Sequence, residues 1–302
     1  MKFDTGPGRL LLVDGEVTVA EYVYEPTEVQ LESPRPYALL RTRAGGDVTA
    51  YRPADHVWHK GLSLALPVVG PHNFWGGPTY VHGRGYVQLP NNGAQVHRSF
   101  EISTDAGPAR LVEQLDWVAQ DGSLVLTEER RLTARLIDDV TWALTWHSAL
   151  TNVSGEGLGF GSPTSKGREN AGYCGIFWRG PATFTGGEIL APSGPAGDAA
   201  RGEPGPWLAF AASDRSAGVL MLDAAEDPNP WFARSEEYAG LNPAPFFFTE
   251  TPLPQGKTLV LSAALVVGTA DVAAHAGGVG ADLVAELRAI GPTPTSESAT
   301  SE

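Results

Sequence analysis

The chain has a single cysteine, no long apolar run, little positive charge and almost no helical period, and each shortage removes a class of protein. With Cys174 alone, an internal disulfide and a multi-cysteine zinc site are both excluded, and a reducing compartment fits. No stretch is apolar for the ~20 residues that a membrane helix requires. The N-terminus, Met1-Lys2-Phe3-Asp4-Thr5-Gly6-Pro7-Gly8, also lacks an apolar signal core, so a soluble cytoplasmic protein without a membrane partner is expected. With 21 basic against 35 acidic residues among 302, the net charge is −14, which repels a phosphate backbone and argues against nucleic acid as a partner. Missing too are a G-x-S-x-G elbow, a Walker loop and a dinucleotide fingerprint opening a helix.

What is abundant is punctuation. The 36 glycines and 24 prolines cut the chain into short segments of the kind found in sandwiches and barrels. The run Thr141 to Leu150 alternates Trp142, Leu144 and Trp146 with smaller or polar residues, the period of a strand near the middle of a sheet. Strands are also expected at Arg9 to Val13, Val17 to Tyr24, Tyr37 to Thr42, Ala109 to Val118, Leu124 to Leu136, Trp207 to Ala212, Gly218 to Asp223 and Lys257 to Val267, with turns at Asp14-Gly15, Asp121-Gly122 and Asn152 to Gly155. Within Leu124 to Leu136 the apolar phase carries Glu128 and Arg130, which implies either a bulge or a polar cleft. One short helix is expected at Ala281 to Ile290. The predicted architecture is all-β: an antiparallel two-sheet β-sandwich with one short C-terminal helix, a single domain over 1–290 and a disordered polar tail over 291–302.

Five of the seven histidines fall between His56 and His97, two of them in Asp55-His56-Val57-Trp58-His59-Lys60-Gly61. Imidazole is the side chain most easily recruited near neutral pH as base, acid or metal ligand. The three-residue spacing of His56 and His59 unites the rings only in a loop or helical turn, and Pro53 and Gly61 favour a loop. A second polar cluster, Ser162 to Tyr173, contains Lys166, Arg168, Glu169 and Asn170 and suits a polyhydroxyl ligand. Trp58 and Trp75, flanked by glycines, are the tryptophans best placed to cover the C–H face of a sugar, while core packing accounts for most of the other six. Cys174 reads as a buried small residue and not a nucleophile.

These stretches resemble a bacterial family of unknown function, DUF6807, often labelled "PmoA family". The resemblance is carried by Asp55 to Gly61, His72-Asn73-Phe74-Trp75-Gly76-Gly77, Gly167 to Tyr173 with Phe177-Trp178-Arg179-Gly180, and Pro230-Trp231-Phe232-Ala233-Arg234. The label implies methane oxidation by an integral membrane subunit, which a chain without a spanning segment does not support. A weaker resemblance, through Ala149 to Ser154 and the polar loop that follows, is to galactose-mutarotase-like proteins. It implies a supersandwich and sugar binding on its concave sheet, but the loop carries Arg168 and Glu169 where those proteins have a histidine, so mutarotase activity itself is not implied.

Residues and resemblance together predict a carbohydrate-active enzyme working on a sugar or keto-sugar derivative by acid/base chemistry, as a lyase, hydrolase or epimerase. The alternative is a non-catalytic carbohydrate-binding or sensing protein. The expected catalytic set is His56 or His59 as base, Glu169 as acid, and Lys60 with Arg168 and Arg179 stabilising oxyanion charge. Asp55, Trp58, His72, Asn73, Trp75, Tyr173 and Arg234 complete the expected substrate-binding set. No cofactor is required, a divalent metal on His56 and His59 is an open option, the expected partner is a small-molecule sugar, and the sequence leaves the oligomeric state open.

Overall fold

Alternation is the signal the chain follows most strictly. The strand Ala109–Val118 buries Ala109, Leu111, Glu113, Leu115 and Trp117 and turns the residues between them outward. The computed structural model describes residues 1–103 and 107–290, so the tail expected over 291–302 lies outside the described residues. Among them the strands form two large antiparallel sheets, one of nine strands and one of eleven. No described helix is long and apolar enough to cross a membrane.

The nine-stranded sheet runs in the order Gly194–Pro195, Glu188–Ala191, Trp207–Ala211, Gly218–Asp223, Thr258–Gly268, Trp142–Asn152, Leu124–Leu136, Ala109–Val118 and Ala94–Ile102. Trp142–Asn152 sits in its interior, as its alternation predicts. The main path of the other sheet is Lys2–Gly6, Arg9–Asp14, Val17–Val23, Tyr37–Leu40, Leu62–Val69, Gly175–Arg179, Gly240–Pro243 and Trp231–Arg234. The helix, Val279–Ala289, buries Leu283 and Leu287 against Leu220, Leu222 and Val266 of the nine-stranded sheet. Between the sheets lies an apolar core in which Trp117, Trp142, Trp146, Trp178 and Trp231 are fully buried. Core packing therefore accounts for five of the eight tryptophans.

Glu128 and Arg130 follow neither expectation for the Leu124–Leu136 strand. The bulge lies earlier, where Trp117 pairs with Leu126 and Val118 with Leu124, and both charges stay on the core face. Both side chains are buried and form an ion pair. Arg130 donates to both Glu128 oxygens at 2.8 Å, to Tyr22 Oη at 3.0 Å and to Gln95 Oε1 at 2.8 Å, while Trp117 Nε1 donates to Glu128 Oε2 at 2.7 Å. Two ions are tolerated in the core because nearly every hydrogen-bonding position is filled from within.

Strand parity also positions the site. In Gly175–Arg179, Trp178 points inward to Phe210 of the nine-stranded sheet, so Phe177 and Arg179 emerge on the opposite, outer face. Arg179, Gly240 and Arg234 then stand side by side across three neighbouring strands. With no side chain at Gly240, the Tyr238 ring folds back over the sheet; a Cβ there would stand 3.0 Å from Tyr238 and 3.2 Å from Phe177.

Candidate functional site

On this outer face an aromatic basin of about 320 Å³ is lined by His56, Trp58, His59, Trp75, Tyr86, Arg168, Tyr173, Phe232, Arg234, Glu237 and Tyr238, with Gly76, Pro78 and Ala171. Phe177, fully buried, packs beneath the lining, with ring centroids 5.0 Å from His59 and 4.9 Å from Trp75. The wall closes on itself: Trp75 meets Tyr173 at 4.5 Å, Tyr173 meets Phe232 at 5.7 Å, Arg234 lies 5.5 Å from the Tyr238 ring, and Tyr238 meets His59 at 5.7 Å. Such a basin offers π faces for C–H groups and a polar rim for hydroxyls.

A larger cavity of about 580 Å³ opens elsewhere, beside Ile176, Leu261, His147, Asp223 and Arg288. Two of its ionic groups, Asp223 and Arg288, are committed to the fold, while His147 keeps Nε2 buried without a partner among the described residues. Asp223 accepts from the Ala225 and Asn229 amides, and Arg288 donates to the Ala224 and Ala225 carbonyls. The smaller basin alone combines several aromatic faces with two imidazoles, two guanidinium groups and a carboxylate, and we take it as the site.

Residues 53–60 form the loop that the Pro53 and Gly61 brackets predict, tightened by His56 N–H to Pro53 O at 3.0 Å and His59 N–H to His56 O at 2.9 Å. The two turns stack the imidazoles at 4.6 Å with 7° between their planes. Their outer nitrogens are fixed by a chain of four groups. His56 Nδ1 lies 2.8 Å from Asp55 Oδ2, Asp55 accepts from Arg179 NH2 at 2.8 and 3.1 Å, and Arg179 NH1 lies 3.2 Å from His59 Nδ1. Partial burial pushes the Asp55 carboxyl up, but the His56 hydrogen bond and the Arg179 charge outweigh it and hold it below the usual carboxylate range. An ionised carboxylate cannot donate and a guanidinium cannot accept. Hence His56 carries its proton on Nδ1 and, when neutral, leaves Nε2 as a lone pair, whereas His59 accepts at Nδ1 and carries its proton on Nε2. Burial, followed by the positive charges of His56, Arg179, Arg35 and Lys60, drives the His59 pKa well below 6.5 and keeps it neutral. Two stacked rings thus offer opposite functions: a base and a hydrogen-bond donor.

A buried cation holds the aromatic loops from below. Arg35 donates to the carbonyls of Trp58 at 2.7 Å, Trp75 at 3.0 Å and Ser33 at 3.0 Å, and its Nε donates to Ser63 Oγ at 3.1 Å. Burial pulls its pKa down to about 10. Asn73 works beside it: Oδ1 accepts from the Trp75 and Gly76 amides at 2.9 and 3.0 Å, closing the turn that presents Trp75. Asn73 is thus a positioning residue, not the ligand contact expected of it.

Other expected residues separate. His56, Trp58, His59, Trp75, Arg168, Tyr173 and Arg234 line the basin, and Asp55 and Arg179 stand behind the histidines. Lys60 turns away: fully buried, it pairs with Glu32 and, at 3.3 Å, with Glu28, because its neighbour His59 takes the basin side. Glu169 stands exposed on a turn outside the basin, since only Arg168 of that dipeptide folds inward onto Tyr86. His72, half-buried next to Phe74, is also outside the basin. The sequence reading passed over Glu237, the carboxylate that does line the basin, and left Tyr86, Phe232 and Tyr238 unassigned. Their proximity depends on the fold-back over Gly240 and on the short Thr79–Val81 and Gly85–Val87 hairpin, neither of which has a period to read. Cys174 is buried, and burial pushes its thiol up to about 12, as expected of a packing residue.

The donor set does not suit a metal ion. Among the described residues no three His, Cys, Asp or Glu groups converge to hold one. Parallel stacked rings do not aim two lone pairs at one centre, and His59 Nδ1 faces a guanidinium.

A family model described as a family of unknown function, DUF6807, matches residues 9–277. No curated protein matches the sequence. Sixteen chains of solved structures match in fold, two of them as follows. One is a β-arabinopyranosidase, at TM-score 0.42 and 10% identity, covering 84% of this chain but 39% of that one. The other is a galactose mutarotase related enzyme from Lactobacillus acidophilus, at TM-score 0.40 and 12% identity, covering 87% of this chain and 98% of that one.

Proposed function

Because the chain belongs to DUF6807, a family that hands down no activity, we propose from the basin itself that it is an enzyme moving a proton on a sugar or keto-sugar derivative. The observation that carries this reading is the pair of contacts that call for opposite tautomers, Asp55 on His56 Nδ1 and Arg179 on His59 Nδ1, which leave His56 Nε2 as a lone pair beside His59 Nε2–H as a donor. A pure binding site has little use for a base oriented by a carboxylate.

For a keto-sugar, the proton on the carbon next to the carbonyl passes to His56 Nε2 and the electron pair moves onto the carbonyl oxygen. The Nε2–H of neutral His59 stabilises that oxygen as a hydrogen-bond donor and not as a strong acid, since its imidazolium is suppressed. Return of the proton gives an epimer or isomer, and departure of a substituent on the next carbon gives an elimination product. Trp58, Trp75 and Tyr173 supply the stacking faces. Glu237 replaces Glu169 as the carboxylate within reach of a ligand.

The test is deuterium uptake from heavy water into a panel of sugars and keto-sugars, followed by mass spectrometry. Wild-type protein should label at least one sugar, and His56→Gln should abolish the label. Labelling that survives in both His56→Gln and His59→Gln would overturn the proposal. Tight binding without exchange or turnover across the panel would make the protein a carbohydrate binder or sensor.

A further inference from the structure

We propose that the sugar taken by this basin is an acid, a uronate, aldonate or keto-sugar acid whose carboxylate is gripped by Arg168 and Arg234. This rests on the sugar reading above and narrows it to one chemical class.

The guanidinium groups around the site fall into two kinds. Those behind the basin are turned away from it: Arg179 pairs with Asp55, although its Nε too is buried without a partner among the described residues, and Arg35, without a carboxylate, is spent on the Trp58, Trp75 and Ser33 carbonyls and on Ser63 Oγ. Those facing the basin are poorly matched. Arg168 makes no ion pair among the described residues; it donates to Tyr86 Oη and stacks 4.6 Å from that ring. Arg234 spends one nitrogen on Glu237, whose side chain is 72% exposed, and its Nε is buried without a partner. Counted over the lining, two guanidinium groups face one carboxylate, in a chain whose net charge is −14. A local cationic excess inside an acidic protein is held against the general field and selects at short range for an anion.

The two arginines stand at the ends of an arc of side chains. Tyr86 Oη lies 2.8 Å from Tyr173 Oη, Tyr173 packs on Phe232, and Arg234 lies 5.9 Å from the Phe232 ring. A planar guanidinium matches a carboxylate as a fork, whereas a neutral hydroxyl uses only part of it. Neutralising a carboxylate there also acidifies the C–H bond next to it. His56, 5.5 Å from the Tyr238 ring that Arg234 approaches, is positioned to take that proton.

Isothermal titration of wild type, Arg168→Gln and Arg234→Gln against matched pairs tests this. The pairs are D-glucuronate and D-gluconate with D-glucose, D-galacturonate with D-galactose, and the methyl ester of glucuronate as the uncharged isostere. At least one acid should bind about tenfold or more tighter than its neutral partner, as loss of a charge-assisted bond implies. The preference should collapse in Arg168→Gln, a rim substitution that leaves the core alone, and should shrink as salt is added. Equal affinity for acid and neutral partner, or no acid bound at all, overturns the proposal. The two readings fail separately. A neutral sugar showing His56-dependent exchange refutes the acid and keeps the proton transfer, while an acid bound tightly without exchange does the reverse.

Discussion

Replacing Asp55 with asparagine removes one charge and changes one hydrogen-bonding sense, and the consequences can be worked from the contacts. In the wild type both oxygens accept: Oδ2 from His56 at 2.8 Å and Arg179 at 2.8 Å, Oδ1 from Arg179 at 3.1 Å. Asparagine keeps one acceptor, and the always-protonated Arg179 claims it. The new NH2 then faces His56 Nδ1, which must accept, so the imidazole proton moves to Nε2 and the base disappears from the basin. Restoring the working tautomer sets N–H against N–H, an unsatisfied arrangement that costs about 3 kcal/mol and lowers the competent population roughly hundredfold. Stability changes little. The Asp55 side chain is 46% exposed, so after solvent screening its loss costs about 1 kcal/mol or less, a shift in Tm of about 3 °C at most for a chain of this size. Nitrogen-15 NMR of the imidazoles reads the tautomer without any substrate, and deuterium exchange reads the activity. If Asp55→Asn keeps the His56 proton on Nδ1, or retains exchange within about threefold of wild type, the four-group chain does not set the tautomers.

Lys60→Met should cost about 3 kcal/mol, since it leaves Glu28 with the Tyr51 hydroxyl but no cation and halves the neutralisation of buried Glu32, which Arg52 still contacts; denaturant titration checks this, and sugar affinity should be unchanged. Glu169→Gln should leave both turnover and stability within about 0.5 kcal/mol of wild type, as expected of an exposed residue without an ion pair among the described ones; a large loss of turnover would return it to the site. Acid should destabilise the protein early. His59, His72 and His147 all have pKa values lowered from 6.5, chiefly by burial, so below pH 6.5 the unfolded chain binds protons that the folded chain refuses. Stability is whole above that pH and falls below it by up to about 1.4 kcal/mol per pH unit for each histidine, measurable as urea midpoints across about pH 5 to 8.

The strands most legible in the sequence are those with one face in the core and one in water. Ala109–Val118 and Leu124–Leu136 show period two because burial alternates. Leu62–Val69 escaped notice although Leu62, Leu64 and Leu66 alternate with Ser63 and Ala65, because all eight residues are buried, no charged residue marks a water face, and Pro67 breaks the alternation. The same distinction governs the site. Composition picked out the imidazoles, Trp58, Trp75, Arg168 and Arg179, because those side chains are costly to place in a Gly-rich loop without a purpose. It could not separate Arg168 from Glu169, or His59 from Lys60, since neighbours in a turn diverge by backbone direction alone. Glu128 and Arg130 looked anomalous for a sound reason, the cost of charge in a core, but their partners Tyr22 and Gln95 come from strands distant in sequence.

Arg35 grips the loops of Trp58 and Trp75 by their carbonyl oxygens, leaving their side chains untouched. Every residue type has a carbonyl, so the spacing of the two walls is indifferent to which side chains those loops display. A lineage could exchange an indole for another platform, and so trade one ligand for another, without rebuilding the frame beneath. The converse is just as sharp: a change at Arg35, which meets no ligand, would disturb every specificity the frame has supported.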